Sequence, residues 1–349
     1  MRRLAVAIVI LAASVAVPLT QTPSGAFACA GLIGSNGSVQ LGRTSTLAAY
    51  HDGVEHYVTA FQFQGGGGEF GALIPLPDVP TNVERGGDWT LQRLQLETSP
   101  PVADLFRASS AEGDDAGAVV LQEVRIDALD LTVLSGGGPA VATWAQEHGF
   151  RLSPDAPEVL DFYAQRSPIF LAAVFDGDAA AERGQQLGDG TPVHLTIPTD
   201  DPWVPLRILG LGKPLEDRVE ADVFLLTDEK PAYFPGPSLT SGLNLAHDQK
   251  ASGGLLDDLR SDAGMEWVPT SAWLTKLEVN SPAGLLRYDL AIDVGGGTPS
   301  RVDAGLDLVP QIPQISSDSD AVPAPWLWAA GLAVLALAVL VTRRTAGAR

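Results

Sequence analysis

Closely spaced carboxylates are the residues of this sequence whose spacing most readily suggests chemistry. Two carboxyl groups can divide the general acid and general base roles, as glycoside hydrolysis requires. The chain holds 42 acidic residues among 349, so such pairs also arise from composition and are weak evidence for catalysis. A carboxylate-dependent hydrolase of the cell envelope is therefore the alternative function. The pairs are Asp114 with Asp115, Asp176 with Asp178, Asp200 with Asp201, and Asp257 with Asp258.

Two acidic segments have the oxygen-rich, glycine-containing character of a calcium-binding loop. Asp176 and Asp178 flank one glycine, and Asp189 precedes another. An EF-hand loop needs a ligand and then a glycine where this chain has Ala180 and Ala181, so that loop is incomplete. We expect no cofactor, with calcium at Asp176, Asp178 and Asp189 as the candidate metal site.

The histidines and nucleophiles form no recognisable catalytic motif. The five histidines do not make H-E-x-x-H, and the sequence has no G-x-S-x-G elbow. His51 and His56 are five residues apart, which on alternating strand positions predicts opposite faces. His194 lies in an alternating apolar segment and is predicted to be a core or edge residue. Cys29 is the single cysteine, which excludes an intramolecular disulfide.

The N-terminus has the three parts of a secretory signal. Two arginines follow Met1, residues 4–17 are apolar, and residues 26–28 read Ala-Phe-Ala. We predict a signal peptide over residues 1–28, cleaved between Ala28 and Cys29. An uncleaved membrane helix is the alternative, but the apolar run is shorter than the ~20 residues that a span needs. Lipidation of Cys29 is disfavoured because the preceding residues do not form a lipobox.

The C-terminus predicts a membrane anchor. A helix over residues 325–342 would be ~27 Å long, close to the ~30 Å thickness of the hydrocarbon layer. Trp326 and Trp328 would lie at headgroup level, and Arg343 and Arg344 would begin a cytoplasmic tail over residues 343–349. A cell-wall sorting signal is disfavoured because no LPxTG-like motif precedes the apolar stretch, and a buried core helix is the remaining alternative.

The orientation that follows places residues 29–310 outside the cell membrane, above a stalk over residues 311–324 that is rich in Pro, Ser and Asp. The expected partners are membrane lipid, contacted by the C-terminal helix, and an unidentified envelope component or protein. The formal net charge is −20, which disfavours nucleic acid as a partner.

The outer domain is predicted to be α+β, mainly antiparallel, with a few short helices. Strands and helices do not alternate regularly, so a doubly wound parallel sheet is disfavoured. Asp52-Gly53 predicts a hairpin turn, and Asp88 is predicted to cap a helix that carries Trp89, Leu91 and Leu94. The other predicted helices cover residues 140–148, 157–165 and 255–260. The predicted strands cover residues 44–51, 55–64, 70–74, 119–134, 169–175, 193–197, 203–209, 219–226, 272–279 and 285–294.

Four segments, taken in order, resemble an uncharacterised bacterial exported family known as the domain of unknown function DUF2330. They are residues 28–31, residues 70–77, residues 144–152 with the helix that runs to Tyr163, and residues 191–207. The last includes the run from Thr191 to Pro198 and then Trp203 to Arg207. The resemblance implies an exported protein, often with a C-terminal span, and it implies no activity. It also implies a second cysteine near the mature N-terminus, which this chain lacks.

These observations together predict a membrane-anchored extracytoplasmic protein that binds an envelope component or serves as an accessory domain. The envelope hydrolase is the alternative, and a purely structural accessory subunit is a third reading. We assign no catalytic and no cofactor-binding residue to the protein.

Overall fold

The computed structural model of the chain describes residues 31–34, 43–62, 70–99, 120–182, 184 and 190–307. The predicted signal peptide with Ala28 and Cys29, the carboxylate Asp189, and the predicted stalk, membrane helix and tail with Trp326, Trp328, Arg343 and Arg344 lie outside these residues. Within them, no helix is long and apolar enough to cross a membrane.

The described residues form fifteen strands, five α-helices and two 3-10 turns, the latter at Arg207–Gly210 and Ala283–Leu285. The helices are α1 (Thr90–Thr98), α2 (Gly138–Glu147), α3 (Ala156–Ala164), α4 (Gly177–Glu182) and α5 (Gly253–Ser261). The strands are β1 (Gly31–Gly34), β2 (Thr44–His51), β3 (Val54–Gln62), β4 (Phe70–Leu76), β5 (Asn82–Arg85), β6 (Val120–Ile126), β7 (Leu129–Ser135), β8 (Ile169–Phe175), β9 (Gly190–Pro198), β10 (Trp203–Val204), β11 (Arg218–Thr227), β12 (Ala232–Phe234), β13 (Leu243–Lys250), β14 (Trp273–Pro282) and β15 (Leu290–Asp293).

Three sheets organise these strands. The largest has the order β13-β14-β11-β2-β3-β9-β5, the second β1-β4-β8-β7-β6, and the smallest β10-β15-β12. The strand pairs described here are antiparallel except β2 with β11, which pair in parallel from Thr44 opposite Ala221 to Tyr50 opposite Thr227. The prediction of a mainly antiparallel α+β fold is confirmed, with this one parallel contact in the middle of the largest sheet.

Side chains alternate between the two faces of each strand, so the buried residues form separate layers on either side of the sheets. Leu195 of β9 and Leu171 of β8 belong to a buried cluster that joins the inner faces of the seven- and five-stranded sheets. Val58 of β3 points the other way and packs with Leu94 and Leu259, which come from α1 and α5. A third cluster packs α2 and α3 on the outer face of the five-stranded sheet. The arrangement is therefore helix, sheet, sheet, helix, with apolar residues between successive layers.

Several predicted boundaries are wrong for identifiable physical reasons. Residues 119–134 are two strands instead of one, because Asp127 adopts φ +61° and turns β6 back onto β7. Residues 203–209 form only the two-residue β10 before a 3-10 turn, and residues 285–294 contain a turn followed by the short β15. In both segments apolar residues are buried without extended pairing, which periodicity alone does not distinguish from a strand.

The predicted helix cap at Asp88 is also wrong. Helix α1 begins at Thr90, and its entry is held by Asp262, which follows α5. The Asp262 carboxylate accepts hydrogen bonds from the Asp88 and Trp89 backbone N–H groups at 3.1 and 3.0 Å and from the Thr90 hydroxyl at 2.9 Å. Gly87 lies so close that a Cβ there would stand 2.3 Å from Asp262 Oδ2, so this position requires glycine.

Candidate functional site

Asp176, one of the predicted calcium ligands, has structural contacts through both carboxylate oxygens. Asp176 follows β8, and its Oδ1 accepts hydrogen bonds from the Asp178 and Ala179 backbone N–H groups at 3.1 and 2.8 Å, which begins α4. Its other oxygen lies 3.5 Å from Arg125 Nη2. Across the described ranges, no group of three or more His, Cys, Asp and Glu side chains is placed to hold a metal ion. Because Asp189 lies outside those ranges, calcium binding stays a prediction.

The other carboxylate pairs are dispersed over turns and helix surfaces. Asp201 lies in the turn after β9, where its backbone N–H donates to Thr199 Oγ1 at 3.2 Å. Asp257 and Asp258 are consecutive on α5 but bind different arginines, Asp257 binding Arg260 and Asp258 binding Arg93. Asp114 and Asp115 lie outside the described residues. The described pairs therefore lie on different elements, and Asp257 and Asp258 bind different partners.

Two histidines that the sequence analysis did not predict to be neighbours are in contact on the outer face of the seven-stranded sheet. His56 is on β3 and His194 is on the adjacent β9, where the register sets Val58 opposite His194 and His56 opposite Thr196. The two histidines are therefore diagonal neighbours on one face, a separation that long side chains can span. His56 Nδ1 lies 2.9 Å from His194 Nε2, so one ring donates a hydrogen bond to the other.

A carboxylate on the next strand extends this contact. Glu84 of β5 is opposite His194 in the register, and its Oε1 lies 3.2 Å from His194 Nδ1. A carboxylate only accepts, so His194 carries its proton on Nδ1 and presents the lone pair of Nε2 to His56. His56 in turn donates from Nδ1. The result is a directed hydrogen-bond chain across three strands from Glu84 through His194 to His56.

The Trp267 side chain covers one side of this hydrogen-bond chain. Its ring stacks on His56 with a centroid distance of 3.9 Å and an interplanar angle of 4°, and it lies 5.3 Å from the His194 centroid. The loop that carries Trp267, between α5 and β14, is fixed where Arg260 Nη1 donates to the Pro269 carbonyl at 2.7 Å. We call Glu84, His194, His56 and Trp267 the imidazole cluster.

Burial makes both imidazoles weak bases. The pKa of His56 is lowered to about 3, mainly by burial and further by the neighbouring His194 and His51. Burial likewise lowers the pKa of His194 to about 4. Both rings are therefore neutral at pH 7. The lone pair of His194 Nε2 accepts the hydrogen bond from His56, and the lone pair of His56 is on its Nε2. Glu84, with 45% of its side chain exposed, connects the cluster to solvent.

The sequence prediction for these histidines was partly right. His194 is indeed buried and satisfied, with only 1% of its surface exposed. The prediction that His51 and His56 face opposite sides is wrong, because the turn at Asp52-Gly53 places them on different strands. The register sets Ala49 opposite His56, so His51, two residues further along β2, shares the face of His56. The sequence signals that indicate the cluster are the hairpin turn at Asp52-Gly53 and the alternation of apolar residues around His194.

The residue beside His56 is chemically unusual and faces the other way. Glu55 points into the core between the sheets and is completely buried. Neither of its carboxyl oxygens makes a hydrogen bond of good geometry to a described residue. Burial raises the pKa of Glu55 to about 8, and the Trp203 backbone offsets only part of that effect. Glu55 is therefore a protonated, neutral acid at pH 7.

A second buried carboxyl group has a structural role. Asp289 accepts hydrogen bonds from the Tyr163 hydroxyl at 2.8 Å and from the Leu206 and Arg207 backbone N–H groups at 2.9 and 3.1 Å. Arg166 forms an ion pair with its other oxygen. These contacts tie α3 to the 3-10 turn that follows β10.

Comparisons with known proteins give a family and no activity. A family model described as an uncharacterised protein conserved in bacteria, DUF2330, matches residues 23–217. This range includes His56, Glu84 and His194 and ends before Trp267. A search of curated proteins finds no match.

Solved structures of baculovirus P35 share a distant likeness with the chain. One, of a mutated P35 after caspase cleavage, has a TM-score of 0.38 at 10% identity and covers 72% of this chain and 99% of P35. Another, of a caspase-8/P35 complex, has a TM-score of 0.37 at 10% identity and covers 73% and 98% of the respective chains.

Proposed function

This chain belongs to DUF2330, an uncharacterised bacterial family, and on that basis we propose that it is an extracytoplasmic binding domain tethered to the cell membrane. The folded domain would lie outside the membrane and the basic tail in the cytoplasm. The C-terminal helix would contact lipid, and the domain would bind an envelope component or an envelope protein.

The location rests on the two ends of the sequence. The signal over residues 1–28, with cleavage between Ala28 and Cys29, would export the chain, and the apolar stretch over residues 325–342 would stop it. Trp326 and Trp328 suit the outer interface, whereas the arginines from Arg343 onward suit the cytoplasmic side. Treating intact protoplasts with protease tests this. We expect the outer domain to be digested and the tail protected, and the reverse pattern would refute the topology.

One structural observation carries the binding role, namely the imidazole cluster. Its polar atoms are held on three paired strands, its rings are neutral, and Trp267 fixes His56 from one side. Such a site can recognise a ligand without large rearrangement, because sites on strands are more rigid than sites on loops. The hydrolase alternative gains less support, because Asp176 binds two backbone N–H groups at the start of α4 and lies near Arg125.

A thermal stability screen of the full-length chain tests the binding role. The purified protein in detergent would be heated with calcium, transition-metal ions and cell-wall fragments in separate samples. A ligand present at ~100 times its dissociation constant stabilises the folded state by ~2.7 kcal/mol, which shifts the midpoint measurably. Glu84→Gln, which alters one solvent-facing member of the cluster, should reduce the shift. A shift of equal size in this variant would place the ligand elsewhere on the domain.

The alternative is tested in the same preparation. Single alanine replacements at Asp176, Asp178, Asp200 and Asp201 should leave any hydrolysis of cell-wall fragments unchanged. Loss of a measured hydrolysis in folded variants would establish the hydrolase and overturn the binding-only proposal.

A further inference from the structure

We propose that His56 and His194 form a binding site for a late first-row divalent metal ion, and that Cu²⁺ binds there more tightly than Zn²⁺. This inference rests on the proposed function only in taking the imidazole cluster as the ligand-binding site. The metal would bind at the two nitrogens that now share a hydrogen bond, His56 Nδ1 and His194 Nε2.

The separation of these two nitrogens suits a pair of neighbouring metal ligands. Two nitrogens at ~2.05 Å from one metal are ~2.9 Å apart when they subtend a right angle, and ~3.3 Å apart in a tetrahedral site. The observed distance is 2.9 Å. A tetragonal centre with nitrogen and oxygen ligands is the geometry that Cu²⁺ and Ni²⁺ prefer, and Cu²⁺ forms the more stable complexes. Small rotations of both rings would turn their lone pairs toward a common point.

The contact between Glu84 and His194 is of the kind that supports a metal ligand. Metal-binding histidines commonly donate their other ring N–H to a carboxylate, which fixes the tautomer and strengthens the ligand nitrogen. Glu84 Oε1, 3.2 Å from His194 Nδ1, occupies that position, so the ligand atom would be Nε2, whose lone pair accepts a hydrogen bond from His56 in the metal-free protein.

Binding of a metal ion to this pair of histidines requires no net release of protons. His194 already has its Nε2 lone pair, and His56 can transfer its proton from Nδ1 to Nε2 as the metal takes Nδ1. Water molecules would fill the remaining coordination positions.

The pair contacts solvent through His56 and Glu84. His194 is buried, but His56 is only partly buried and Glu84 is 45% exposed. Trp267 stacks on the face of His56 and leaves the ring edge, where both nitrogens lie, uncovered by that contact. The same stacking provides a spectroscopic reporter, because Cu²⁺ bound to His56 would quench the fluorescence of Trp267.

The test is a titration of the full-length chain in detergent with Cu²⁺ and, separately, with Zn²⁺. Every variant would carry Cys29→Ser, which removes the single thiol as a competing copper ligand. We expect one equivalent of Cu²⁺ to bind and quench tryptophan fluorescence, with weaker binding of Zn²⁺. His56→Asn and His194→Gln should lose this binding. His247→Asn, a matched change on β13, should retain it.

Two further variants keep the test decisive if His194→Gln does not fold. Glu84→Gln should weaken Cu²⁺ binding ~10–100-fold, as expected for loss of a carboxylate behind a histidine ligand. Trp267→Phe should show less fluorescence quenching for each bound Cu²⁺, because the ring that stacks on His56 is removed. Unchanged affinity in folded His56→Asn, or the absence of a bound equivalent in the parent protein, would overturn the metal site. Either result leaves the protease test of topology and the screen with cell-wall fragments unaffected.

Discussion

Replacing Glu55 with glutamine should stabilise the protein increasingly as the pH rises. Glutamine has nearly the same shape as the neutral acid, but it cannot ionise. The folded state holds the Glu55 proton with a pKa of about 8, against an ordinary value of 4.5 in an unfolded chain. Between these values the unfolded state releases a proton that the folded state keeps, so the free energy of unfolding of the parent protein falls with pH.

The magnitude follows from the two pKa values. Each tenfold difference in proton affinity corresponds to ~1.4 kcal/mol, so the full effect approaches ~5 kcal/mol above pH 8 and is ~3 kcal/mol at pH 7. Stability from this group is fully present below pH 4.5 and is lost as the pH rises toward 8. Glu55→Gln removes the dependence, so the two proteins should differ little at pH 4.5 and by several kcal/mol at pH 8.

The assay is chemical unfolding of both proteins at several values between pH 4.5 and pH 9. The difference between their free energies of unfolding is the relevant quantity, because the contributions of all other titrating groups largely cancel in it. Glu220→Gln, at an exposed position of β11, controls for the loss of one negative charge. A difference that stays constant across this pH range would refute the assignment of Glu55 as a buried neutral acid.

Three further predictions concern other buried polar groups. His56→Asn should destabilise the protein less at pH 4 than at pH 7. The pKa of His56 is lowered in the folded state, so the stability that this residue contributes is lost as the pH falls from 6.5 toward 3. Thermal midpoints of both proteins at the two pH values check this. Asp262→Ala should cost ~2–4 kcal/mol, because two backbone N–H groups at the entry to α1 lose a charged acceptor. The exposed Asp257→Ala is its control, and an equal loss in both variants in urea unfolding would contradict the role of Asp262. Asp289→Asn should cost ~3–5 kcal/mol by the same measurement, because Arg166 would be left buried without its counter-charge; a loss below 1 kcal/mol would contradict that reasoning.

The sequence predicted those elements whose signals are local. The strand at Ile169–Phe175 and the helix at Ala156–Ala164 follow from a run of apolar residues and from helical spacing after Ser153 and Pro154. The imidazole cluster could not be predicted in this way, because His56 and His194 are 138 positions apart. Local alternation gives the face of each residue, but it does not say which strands are neighbours.

The same limitation explains the error at α1. Asp88 has the residue type and position of a helix cap, but Asp262 arrives from 174 positions away and takes over the role. Capping preferences describe what a chain segment can do by itself. They do not account for a carboxylate supplied by a different helix.

The parallel contact between β2 and β11 has a consequence for how the chain can be divided. The family match ends at residue 217, one position before β11 begins at Arg218. A fragment cut at that boundary would retain β2 and β3 but lose β11, β13 and β14 from the seven-stranded sheet. Its β2 would become an unprotected edge, open to pairing with other copies. The range matched by the family model therefore ends before the seven-stranded sheet is complete. During synthesis β11 is made well after β2. The middle of the largest sheet can therefore form only after these later strands have been synthesised.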